Sequence, residues 1–254
     1  MTLVLTELSH LGIAMAADSA VTFTYPQTGV SFAEPNLARK LQAIPYLNAG
    51  ISCWGMGEIS GISTDNWIEN FIDDHKTITS LKDFADQLAE ALNAQLPPNE
   101  TGVNRLGFHV AGYEPYNDVA TPSFYHVHDG PSTTLAQRGI VVNPNQVNAN
   151  HDVSPEIYKQ SLIRGEIPIT RNGDYILYAN IFGLLEEFFQ QLIPHGIRIP
   201  NSHNLDDRAE YLVFQIRTVS EIYRLSNLVP GIGGKIYFLT INPDGVYSQG
   251  IKYL

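Results

Sequence analysis

The second residue of the chain is a threonine, and a threonine at a chain terminus carries both halves of a nucleophilic pair. Its hydroxyl is a weak nucleophile at neutral pH and needs an adjacent base, which a free α-amine on the same residue can supply. The ordinary α-amino pKa of about 8 already lies near a working pH. Thr2 follows only Met1, and methionine aminopeptidases accept a small second residue, so trimming would expose the amine. With Met1 retained the nitrogen is an amide and cannot take a proton. The plainer reading of Thr2 is a strand residue, since β-branched side chains favour strands. Two further groups could do chemistry. His126 and His128 alternate, with Asp129 beside them, and could bind a metal. With two ligands and no partner motif, a polar strand face is the simpler reading and no metal is expected. Cys53 is the single cysteine. It excludes an intrachain disulfide, has no base motif nearby, and reads as a small buried apolar residue. His10 falls in a turn and is expected to face solvent.

The elements that must position these residues are legible as runs. Residues 2–8 and 12–17 are apolar and separated by Ser9-His10-Leu11-Gly12, which reads as a hairpin. A β-rich stretch from Ala20 to Thr24 follows, then a loop over 25–37, where Pro, Gly and Asn gather. Lys40 to Gly55 reads as a second hairpin turning at Pro45-Tyr46-Leu47-Asn48. Periodicity becomes helical over 58–74 and 80–95, the second with Leu81, Phe84, Leu88 and Leu92 on one face and Ser80 as a cap. Strands return at 107–113 and 123–128. Residues 131–172 are rich in Asn, Pro and Gln and read as an insertion with a short helix near 155–163. Residues 175–191 and 206–226 are helical. A final hairpin turns around Asn242-Pro243-Asp244-Gly245. Clustered strands with segregated helices make an α+β domain. With no linker and no repeat, residues 1–254 read as a single domain.

Four separated stretches carry a resemblance. Thr2 with the run GIAMAADS (residues 12–19) resembles the start of proteasome β-type subunits, of the N-terminal-nucleophile (Ntn) hydrolase family. Counting Thr2 as first, Asp18 is seventeenth, the spacing that family uses. KLQAIPYLNAGISCWG from Lys40 resembles its Lys-led hairpin ending in glycine. GFHVAGY and SFYHVHDG resemble its paired strands after two helices, and GIGGKIYFLTI its glycine pair and following strand. The chain is thus similar to a divergent bacterial-type proteasome homologue. The resemblance implies a four-layer αββα sandwich, two stacked antiparallel sheets between helical layers.

The same resemblance implies roles. Thr2 would be the nucleophile, and Lys40 would sit near its hydroxyl, lowering the amine's proton affinity and stabilising developing alkoxide. Asp18 would pair with Lys40. The backbone N–H of Gly55 would bind the oxyanion, and Val21, Cys53 and Gly57 would line the pocket. Ala20 stands where the family often has arginine. The Asp and Ser that precede the family's late glycine pair are absent, with Ser226 or Asn227 as substitutes. Asn172-Gly173-Asp174 would bring Asp174 near the terminal amine.

Composition bounds the partners. Formal net charge is −11 with 15 basic residues, which argues against nucleic acid, since phosphate contacts need clustered Lys and Arg. No apolar run reaches the roughly 20 residues of a membrane span. No Lys or Arg precedes Arg39, so a basic signal-peptide lead is missing and a cytoplasmic protein is expected. The expected function is a threonine-type hydrolase of peptide bonds, without cofactor, acting on peptides or unfolded protein in a homo-oligomeric ring, with or without an ATP-dependent unfoldase. The alternative is a non-catalytic structural or regulatory subunit of that fold. A third reading is a small-molecule amidase of the same chemistry.

Overall fold

The computed structural model describes residues 2–25, 27–100, 105–130, 145–173, 175–227, 229 and 231–253. Strands β1 (Leu3–Ser9) and β2 (Gly12–Asp18) form the expected opening hairpin, and every residue of both is buried. Continuous burial explains why both read as unbroken apolar runs rather than as alternations. β3 (Val21–Thr24) pairs with β4 (Ser31–Glu34), where the sequence suggested loop. Cross-strand rings hold this ribbon: Phe32 stacks on Phe23 and on Tyr25, each at 5.3 Å. β5 (Leu41–Ile44) and β6 (Ala49–Gly55) are the Lys-led hairpin, joined through a 3₁₀ turn at Pro45–Leu47.

The helical reading over 58–74 begins too early. A two-residue strand pair, β7 (Glu58–Ile59) and β8 (Ile62–Ser63), precedes helix α1 (Thr64–Asp74), because Ser60 and Gly61 both take positive φ and turn the chain. Helix α2 (Leu81–Gln95) starts as expected, with Ser80 Oγ accepting the Asp83 N–H at 3.0 Å. β9 (Leu106–Tyr116) and β10 (Val119–His128) run longer than expected and meet at Asn117-Asp118, both at positive φ, as a tight hairpin requires. Within 131–172, residues 131–144 lie outside the described residues. The remainder contains β11 (Asn148–Val153), the expected short helix α3 (Pro155–Ile163) and β12 (Ile169–Gly173). Helices α4 (Tyr175–Leu192) and α5 (Leu205–Leu225) follow, the latter opened by a reciprocal Asn204–Asp207 capping box. β13 (Ile236–Asn242) and β14 (Gly245–Lys252) form the last hairpin.

One five-stranded antiparallel sheet has the order β12-β1-β2-β13-β14 and a second has β11-β10-β9-β6-β5. Alternation along β1 sorts its side chains. Leu3 and Leu5 pack with Leu212, Ile216 and Val219 of α5, whereas Val4 and Leu8 share a cluster with Leu41, Trp54, Ala111 and Phe124 of the second sheet. The other side of that sheet, through Ile51, Phe108 and Val110, packs with Phe71 of α1 and Phe84 and Leu88 of α2. The architecture is α+β with antiparallel sheets. Among the described residues no helix is long and apolar enough to cross a membrane.

Candidate active site

Thr2 immediately precedes β1 and is almost fully buried. Its backbone is fixed from the neighbouring strand. Gly173, at the end of β12, has φ +127°, and a Cβ there would fall 1.8 Å from the Thr2 carbonyl oxygen. Only glycine permits that approach.

Asp18 ends β2 with no exposed surface. Its Oδ1 accepts the Leu3 N–H at 2.9 Å and the Lys40 ammonium at 3.0 Å. Its Oδ2 accepts the N–H groups of Ala20 at 3.1 Å and Gly233 at 3.2 Å. Four donors on one carboxylate offset the cost of burying it. Lys40, which leads into β5, donates a second hydrogen bond to the Ala20 carbonyl. The ammonium and the first amide of β1 therefore share one acceptor oxygen, and the ion pair is anchored to the strand that carries Thr2.

Gly55 ends β6 at φ +93°, pressed against the neighbouring strand, where a Cβ would come 2.1 Å from the Arg105 carbonyl oxygen. Thr2, Lys40 and Gly55 line one cavity of about 690 Å³, together with Val21, Cys53 and Gly57. Asp18 stands behind that wall rather than in it. The sequence reading missed Phe23, Leu37 and Met56 on the apolar side of the cavity, and Glu58 and Asp65 on its polar side. Phe23 lies in the expected β-rich stretch, but its partner strand β4 and Leu37 both fall within the segment read as loop. Asp65 had been assigned to mid-helix, but it stands in the first turn of α1. Burial works to raise its pKa, yet hydrogen bonds from the Arg39 N–H, Ser63 and the backbone of the helix start outweigh this and hold it below the usual carboxylate range. Burial pushes the Cys53 thiol up to about 12 despite the nearby Lys40 charge, so it is a protonated wall of the cavity.

The histidines lie elsewhere. His109, His126 and His128 are buried, and their strand positions put them on the same side as Trp54 and Phe124, toward the first sheet. The polar face is therefore a buried one, with Asn150 paired beside His126 on it. His109 Nδ1 lies 2.9 Å from Thr6 Oγ1 and its Nε2 lies 2.7 Å from Asn172 Oδ1. The amide oxygen can only accept, so Nε2 carries the proton and Nδ1 receives the Thr6 hydroxyl. Among the described residues no group of three or more His, Cys, Asp or Glu is arranged to hold a metal. Ser226 Oγ donates to the Tyr223 carbonyl at 2.9 Å and closes α5. Asp174 lies outside the described residues.

With this geometry in place, comparison with known proteins gives a likeness of fold. The chain is similar to a solved structure of an Anbu (Gly-1) mutant from Hyphomicrobium sp. strain MC1, with a TM-score of 0.53 and 12% identity over 99% of this chain and 87% of that one. It is similar also to Anbu (ancestral beta-subunit) from Yersinia bercovieri, with a TM-score of 0.51 and 12% identity over 99% and 86%. This is a distant proteasome-like fold. No family model matches the sequence, and no curated protein matches it. The expected membership of the proteasome β-type, N-terminal-nucleophile family as a divergent bacterial-type homologue is therefore corrected. At 12% identity the likeness speaks for the fold alone. The short motifs behind that expectation are explained by packing: the Asp-Ser pair ends β2, and Gly233 donates to Asp18, as this backbone requires.

Proposed function

We propose that the chain is a threonine-type hydrolase of peptide bonds in which Thr2 is the nucleophile once Met1 has been removed. The observation that carries the reading is the gathering of Thr2, Lys40 and Gly55 on one cavity, with Lys40 fastened to Asp18 and Asp18 to the Leu3 amide. The Thr2 Oγ attacks the scissile carbonyl carbon and its proton passes to the α-amine. The oxyanion of the tetrahedral intermediate takes the Gly55 N–H. Collapse breaks the C–N bond, the amine proton leaves with the new amino terminus, and an ester on Thr2 remains. Water, deprotonated by the same amine, attacks the ester and regenerates Thr2. Lys40 supplies positive charge beside the alkoxide, while Val21, Cys53 and Gly57 contact the substrate side chain. In this reading residues 1–254 work as one domain, a four-layer sandwich, in a cytoplasmic homo-oligomer that closes into a ring through heterologous contacts. Peptides or unfolded protein are the substrates.

A peptide epoxyketone tests the reading, because its double adduct consumes both the hydroxyl and the amine of one residue. Mass spectrometry should place the adduct on an exposed Thr2 and find none in Thr2→Ala. A trimmed chain that takes no adduct and cleaves no unfolded protein refutes it. A non-catalytic subunit is the second reading. It is favoured by Ser226, whose hydroxyl donates to the Tyr223 carbonyl at its own helix end.

A further inference from the structure

Gly55 is pressed against the Arg105–Leu106 peptide. The Arg105 oxygen fills the space where a Cβ would stand, and it accepts the Met56 N–H at 3.0 Å. That carbonyl is held by Asp129, which the sequence offered as a neighbour of the His126 and His128 pair. Asp129 has no exposed surface. Its Oδ1 accepts the N–H groups of Arg105 at 2.8 Å and Leu106 at 3.0 Å. Its Oδ2 accepts Arg105 Nε at 2.5 Å and lies 3.4 Å from Asn99 Nδ2. Arg105 reaches on to the Pro97 carbonyl at 3.1 Å. The carboxylate thus grips Arg105 by backbone and side chain together, fixing the peptide that Gly55 and Met56 rest on. The β6–β9 ladder pairs Gly50 through Gly55 with Ala111 through Leu106, and the Met56–Arg105 hydrogen bond continues that register by one residue.

We infer that Asp129 and Arg105 are positioning residues that hold the Gly55 N–H in place for the oxyanion; the inference rests on the hydrolase reading above. An oxyanion donor must be aimed before reaction, since its value lies in needing no reorganisation. Losing one donor costs about 100- to 1000-fold, and a donor that is present but misaimed should cost less, about 10- to 100-fold.

Asp129→Asn is the decisive variant. It keeps the side chain's shape but sets an amide where a carboxylate oxygen receives Arg105 Nε. The expected result is a kcat lowered about 10- to 100-fold with KM within about two-fold, and a peptide boronate bound more weakly by the same factor as kcat/KM falls. Epoxyketone labelling of Thr2 should still occur, and amide exchange at Met56 should accelerate relative to β1. Arg105→Gln, altering a side chain that is partly exposed, serves if Asp129→Asn does not fold, with the same pattern at smaller size. An active wild type whose Asp129→Asn and Arg105→Gln variants keep kcat and boronate affinity overturns the inference alone. Unchanged Met56 exchange does so too. A wild type with no labelling and no cleavage removes the hydrolase reading and this inference with it.

Discussion

Acidification should unfold this protein well above the pH at which carboxylates protonate, because three histidines are locked between its sheets. Burial lowers His109 and His128 from 6.5 to about 4, and holds His126 well below its ordinary range with the help of its histidine neighbours. Beside His109 stand Thr6 and Asn172, and beside His128 stand Asn150 and Asp129. His126 faces Trp54 at 6.0 Å and Asp152 at 3.7 Å. An unfolded chain takes up protons at His109 and His128 below pH 6.5, whereas the native one refuses them until about 4, and His126 is shifted the same way. Protons therefore favour the unfolded state, and stability falls as pH drops through that window. At pH 5 His109 and His128 each cost about 2 kcal/mol, about 4 kcal/mol together, and His126 acts in the same direction. That approaches the lower end of the roughly 5–15 kcal/mol of a typical domain. Urea denaturation at about pH 7.5, 6 and 5 should show the midpoint falling steeply, and His128→Gln should remove about 2 kcal/mol of the difference between the extremes. A midpoint level from pH 7.5 to 5, or an equal fall in His128→Gln, would refute the reasoning.

Gly173→Ala should cost at least about 2–3 kcal/mol by thermal or chemical melting and displace Thr2, because the added methyl has no room against that residue's carbonyl. Gly165→Ala, at another positive φ but with open space, should cost less. Lys40→Met leaves Asp18 buried without its counter-ion and should lose about 3–5 kcal/mol, read as a lower melting midpoint. Where β1 packs against α5, Arg208→Ala strands the buried Glu7 carboxyl and should cost about as much, whereas the double variant Glu7→Leu/Arg208→Met should recover most of the loss.

The strand hairpins around Thr2, Asp18 and Lys40 were legible because their turns carry Gly, Pro and Asn and their strands are unbroken apolar runs. Helices α2 and α5 were legible from their caps and periodicity. β4 was not, since Phe32 makes sense only against Phe23 and Tyr25 across the ribbon. β11 and β12 were hidden because polar residues such as Asn150 and Asn172 bond inward, to His128 and His109. A partner distant in sequence turns those polar residues into core residues, and no local pattern announces it. Asp129 stands in the sequence beside the histidine pair, and its hold on Arg105 is hidden for the same reason, since it acts on residues more than twenty positions earlier.

The Asp18 carboxylate joins residues 215 positions apart when it receives the Gly233 amide. During synthesis the opening strands and the lysine hairpin emerge long before that last donor exists. Until the chain has passed residue 233, the segment bearing Thr2 has no finished setting. A nascent polypeptide therefore carries its opening strand beside an Asp18 carboxylate that still lacks one of its four donors, and that set closes only when nearly all of the protein has been made.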